Sequence, residues 1–97
     1  MPRVFINLSG VPTPVTGSAA HFSQATFFAI SGFNNSGVAV PNKGSIYVGI
    51  NSGELCMTAS PGSSFGIPYY FREQRDSLGA YWINGTSGDS CYIIYSN

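Results

Sequence analysis

Charge is scarce in this chain. Its 97 residues include four basic and four acidic side chains, so the formal net charge is zero. Charged residues make up 8% of the sequence, against about 25% in an ordinary soluble domain. So few cations cannot build the phosphate-neutralising patch that nucleic acid binding needs, and no nucleic acid partner is expected. Long apolar runs are also missing. No stretch reaches the roughly 18 residues of a membrane-spanning helix, so no membrane partner is expected either. The opening "MPRVFINLSG" lacks the unbroken apolar centre of a signal peptide, because Asn7 and Ser9 interrupt it. Synthesis and assembly inside a cell is the resulting expectation.

Catalytic residue types are thin. His21 is the only histidine, and no Asp or Glu precedes Glu54. Nucleophilic triads need an oriented imidazole, and His21 in its Gly-Ser-Ala-rich surroundings reads as a solvent or interface histidine. The acids Glu54, Glu73, Asp76 and Asp89 sit at turns or in one charged cluster. Solvation accounts for each of them there better than a pair held across a cleft. "NGTSGD" supplies only Asp89 as a carboxylate, too little for a calcium loop. The glycines form no phosphate loop. No catalytic residue, metal site or cofactor is called for, and the chain reads as a non-enzyme. Cys56 and Cys91 lie far from metal-ligand spacing, each within an apolar run. Two buried free thiols are expected. A disulfide would need adjacent strands with matched side-chain directions.

What remains is strand and turn. "RVFINL" alternates, with Val4, Ile6 and Leu8 on one face and Arg3, Phe5 and Asn7 on the other. "QATFFAISGF" sets Thr26, Phe28 and Ile30 opposite Phe27, Ala29 and Ser31. "GSIYVGINSGELCMTASPGSSFGIP" reads as a repeated hairpin, turning first at Asn51-Ser52-Gly53 and again at Ser60-Pro61-Gly62. "AYWIN", "GTSGD" and "SCYIIYSN" read as a last hairpin. No segment holds a helical repeat over ten positions. The expected fold is a single all-β domain, an antiparallel β-sandwich (jelly-roll-like or a small barrel) of about seven to nine short strands. Residues 1–24 form an N-terminal strand and a proline-bearing arm, and residues 25–97 form the sandwich. Pro12 and Pro14 confine their segment to an edge strand or an extended arm.

Aromatic residues raise a further expectation. Tyr69, Tyr70 and Phe71 are consecutive, so one core cannot take all three. Tyr81 with Trp82, and Tyr92 with Tyr95, pose the same difficulty. Some aromatic surface must face away from the core. Protein interfaces are enriched in such residues, and sugar stacking is the alternative. The cluster Arg72-Glu73-Gln74-Arg75-Asp76 concentrates formal charge and is a solvated loop or a patch that fixes register with a neighbouring subunit. The candidate interface therefore comprises Pro12, Pro14, Tyr69, Tyr70, Phe71, Arg72, Arg75 and Trp82.

The order of turns resembles small tailed-bacteriophage virion proteins of the head decoration, or cement, type. The resemblance spans roughly residues 25 to 95. It rests on Tyr47-Val48-Gly49, on Pro61-Gly62-Ser63-Ser64, and on Asp76-Ser77-Leu78 running through Tyr81, Gly85, Gly88 and Asp89. It implies a β-sandwich without enzymatic activity, a trimer, and attachment to the major capsid protein on the outside of the assembled shell. A glycan-binding module on a tail or fibre is the alternative, with Trp82 or the Tyr69-Tyr70 pair as the stacking platform.

Overall fold

The computed structural model describes residues 3–15, 21–68, 71 and 77–96. Ten strands occur among them, all paired antiparallel: β1 (Arg3–Asn7), β2 (Thr13–Pro14), β3 (Gln24–Phe28), β4 (Ile30–Phe33), β5 (Ala39–Pro41), β6 (Ile46–Gly49), β7 (Met57–Ala59), β8 (Ser64–Gly66), β9 (Trp82–Asn84) and β10 (Ser90–Ser96). One sheet has the order β1-β10-β3-β8, and a second has the order β2-β9-β6-β7. The hairpin β4-β5 stands apart from both. A single 3₁₀ turn, Leu78–Ala80, precedes β9.

The alternation read from the sequence decides which faces meet. Ala25, Phe27, Cys91 and Ile93 from the first sheet and Ile46, Val48, Ala59 and Ile83 from the second pack into one buried cluster. The fold is thus a two-sheet antiparallel sandwich. Leu8, Val15, Phe22, Leu78 and Tyr81 belong to the same core, and Phe27 stacks on Phe65 with ring centroids 5.3 Å apart. Burying side chains of this size contributes about 1.5–3 kcal/mol each before entropy costs.

Two expected hairpins are corrected. β6 and β7 do pair, with Ile46 opposite Ala59 and Val48 opposite Met57, and the bridge Asn51–Glu54 continues that register into the turn. The Asn51 side chain caps this turn through the Gly53 N–H at 2.8 Å. However, β7 and β8 belong to different sheets, and so do β9 and β10. Their turns carry the chain across the sandwich. The Pro61-Gly62 turn has the expected geometry, with the Ser63 N–H on the Ser60 carbonyl at 2.9 Å and Gly62 at φ 83°. Turn chemistry reverses a chain but does not require the flanking strands to pair.

The strand count also rises above expectation, because "QATFFAISGF" is two strands. Ala29 lies between them, fully buried. Its N–H donates to Ser63, while its carbonyl accepts from Gly62 and Asn42. The chain leaves β8 here and takes up β5 instead. Between Ile30 and Gly32 the register slips, with Gly32 at φ 137°, a backbone state that other residues rarely adopt. The β4-β5 hairpin consequently folds over the outer face of the first sheet, against β10.

The N-terminal segments join the sandwich as edges. β1 borders the first sheet and β2 the second. Of the two alternatives for the proline-bearing segment, Thr13–Pro14 is an edge strand, paired with Trp82–Ile83.

Candidate docking face

The outer face of the first sheet carries an aromatic row. Phe5, Tyr92 and Phe28 occupy the out-facing phase of β1, β10 and β3, and strand register sets them side by side. Phe5 lies 6.2 Å from Tyr92 and Phe28 lies 6.3 Å from it, both edge to face. The folded-over hairpin adds a third partner. Phe33 meets Tyr92 at 5.7 Å and 90°. Tyr92 is thus the hub of an aromatic cluster built from four strands, in the geometry that ring quadrupoles favour.

This cluster is only partly covered. Phe5 is 46% exposed and Phe33 is 55% exposed. Between sheet and hairpin lies an open depression of about 210 Å³, walled by Phe28, Ile30, Phe33, Ala39, Tyr92 and Ile94. Val38 and Val40 leave more apolar surface on the hairpin. The Arg3 guanidinium donates from Nη1 to the Tyr92 hydroxyl at 2.9 Å. It thereby stands at the rim of the depression, beside Ile94, its cross-strand neighbour. Arg3 has no carboxylate partner among the described residues.

A separate polar cluster holds the loops at one end. Asp89 is buried and accepts the Lys43 and Gly44 backbone N–H groups at 2.9–3.0 Å. Solvation therefore does not account for Asp89, contrary to expectation; backbone donors satisfy it. Beside it, Asn42 exchanges two hydrogen bonds with the Ser90 backbone and accepts the Ser31 hydroxyl. These contacts tie the β5-β6 loop to the crossing between β9 and β10. The cluster is saturated by its own chain and reads as a structural clamp.

The thiols are not a pair. Both are free, and Cys56 is exposed whereas Cys91 is buried, so the expectation of two buried thiols holds for one of them. Cys56 sits on the outward phase between half-buried Leu55 and Met57. Burial pushes the Cys91 thiol up to about 12, with a backbone hydrogen bond at Phe28 partly opposing that rise.

The residues expected at an interface scatter. Pro14 is exposed on edge strand β2, and Pro12 is half-buried. Trp82 is half-buried on β9, opposite Pro14 and Gly49 in the second sheet. Phe71 is half-buried and packs against the core. Tyr69, Tyr70, Arg72 and Arg75 lie outside the described residues, as do Glu73 and Asp76. His21 is exposed and bridges to Ser77. Among the described residues no three His, Cys, Asp or Glu side chains gather as a metal ion would require. Sequence reasoning missed the Phe5–Phe28–Phe33–Tyr92 cluster, although a signal existed. Phe5, Phe28 and Tyr92 each stand out of phase with the core positions of their own strand.

No protein-family model, curated protein or solved structure matches the chain.

Proposed function

We propose that this protein is a non-enzymatic structural component that docks on a larger protein assembly through the outer face of its first sheet. The half-exposed aromatic cluster centred on Tyr92 carries this reading. Large aromatic side chains in contact with each other and with solvent supply the anchors on which protein interfaces depend. A charge-poor chain with zero net charge is also prone to associate.

The turn order resembling phage decoration proteins supplies the assembly, namely a virion shell built of major capsid protein. Binding of this kind is passive. A protein that binds the assembled shell and not the free subunit stabilises the shell by linkage. Repetition over the lattice, or trimerisation, multiplies modest contacts through effective concentration. The test is co-sedimentation with expanded empty shells assembled from the major capsid protein of the same genome. Saturable binding that raises the shell's resistance to heat is expected. No sedimentation with the shell, or a genome that encodes no such protein, overturns the capsid reading.

A further inference from the structure

The docking face has two chemically distinct parts, and together they specify what it holds. The depression between sheet and hairpin is lined by apolar side chains alone, four of them contributed by Phe28, Phe33, Tyr92 and Ile94. Its volume of about 210 Å³ exceeds the roughly 150 Å³ of an enclosed cavity that admits benzene, so a branched aliphatic side chain fits. At the rim stands Arg3. A guanidinium offers five N–H donors; one goes to the Tyr92 hydroxyl, and no carboxylate among the described residues takes the others. The Tyr92 hydroxyl also fixes the direction in which this cation points.

Resting on the reading that this face docks on protein, we infer that its partner is a protein segment in which an aliphatic side chain is flanked by a carboxylate. The aliphatic group fills the depression, and the carboxylate takes the unused donors of Arg3, a planar fork suited to bidentate pairing. The apolar contact supplies most of the affinity. The ion pair, at a solvent-exposed rim, supplies register and discrimination.

The experiment is an NMR titration of the ¹⁵N-labelled protein with blocked pentapeptides. One peptide holds Leu-Glu at its centre, a second Leu-Lys and a third Ala-Glu, and free 4-methylpentanoate is titrated alongside. The Leu-Glu peptide is expected to shift the Arg3, Phe33 and Tyr92 amides saturably. It should bind about three- to fivefold more tightly than Leu-Lys, the upper part of the range open to an exposed ion pair, and more tightly than Ala-Glu. Arg3→Gln should erase the preference for Glu over Lys and keep the preference for Leu over Ala. The inference is overturned by equal binding of Leu-Glu and Leu-Lys, by no saturable shift at these amides, or by tighter binding of 4-methylpentanoate than of the peptide. If the peptide preferences hold while capsid shells are not bound, the lattice reading falls and this inference stands.

Discussion

Phe33 meets the Tyr92 ring edge to face at 5.7 Å, although the two residues lie in different sheets and 59 positions apart in the chain. That contact exists because the chain pivots at Ala29 and slips register at Gly32, which swings the β4-β5 hairpin over β10. The hairpin thus creates both a wall of the depression and one of its three aromatic lining side chains. Tyr92→Ala removes the hub of three ring contacts and the acceptor for Arg3. It is expected to cost about 2–4 kcal/mol in denaturant unfolding, whereas Phe33→Ala, at a half-exposed position, should cost less than half as much.

The Asp89 clamp makes a second prediction. Asp89→Ala strands the Lys43 and Gly44 N–H groups in a part-buried loop. A loss of about 2–4 kcal/mol is expected from the broken bonds and the unpaired donors. Faster amide exchange at Lys43 and Gly44 should accompany it. A variant as stable as the wild type would contradict the structural role.

Glycine positions in the β6-β7 hairpin should respond unequally. A Cβ at Gly49 would run into the carbonyl oxygen of Glu54 and lie 2.7 Å from the Leu55 Cα. Backbone cannot yield as a flexible side chain can, so Gly49→Ala should cost about 3 kcal/mol or more, at the upper end for overpacking. At Gly53 the same Cβ meets only the Asn51 side chain at 3.5 Å. Gly53→Ala should stay within about 0.5 kcal/mol of wild type. Unfolding curves of the two variants measure the contrast.

The two cysteines should react apart. In the native protein an aromatic disulfide reagent is expected to modify Cys56 promptly and Cys91 only on unfolding. Between the ordinary thiol value of 9.0 and the folded value of about 12, the unfolded chain releases the Cys91 proton and the folded chain keeps it. Stability therefore falls as pH rises through that window, by up to about 1.4 kcal/mol per unit. The difference between wild type and Cys91→Ala isolates the thiol. The wild type should lose stability more steeply, and parallel slopes would contradict this.

Much of the fold was legible in the residues. The alternation of "RVFINL" separated Val4, Ile6 and Leu8 from Arg3, Phe5 and Asn7, and the structure turns the first of these faces to the core. The Asn51 and Pro61-Gly62 turns also stand where their chemistry predicts. Pairing partners were not legible. A turn is encoded by four adjacent residues, but whether β9 joins β10 depends on long-range packing and on Asp89 reaching back to residues 43 and 44. The docking face was hidden for the same reason. Alternation placed each aromatic on one of the two faces of its own strand, yet only register brings Phe5, Tyr92 and Phe28 into one row.

The central claim is that this row and its hairpin form the surface that docks. The most direct measurement compares co-sedimentation of wild type, a Phe5→Ser/Phe33→Ser double variant and Tyr47→Ser with capsid shells of the same genome. Tyr47 is similarly exposed, at 44%, but belongs to the second sheet. The double variant is expected to bind at least about tenfold more weakly, equal to about 1.4 kcal/mol, while keeping its far-ultraviolet circular dichroism. Tyr47→Ser is expected to bind as the wild type does. Undiminished binding by the folded double variant, or loss confined to Tyr47→Ser, would contradict the account.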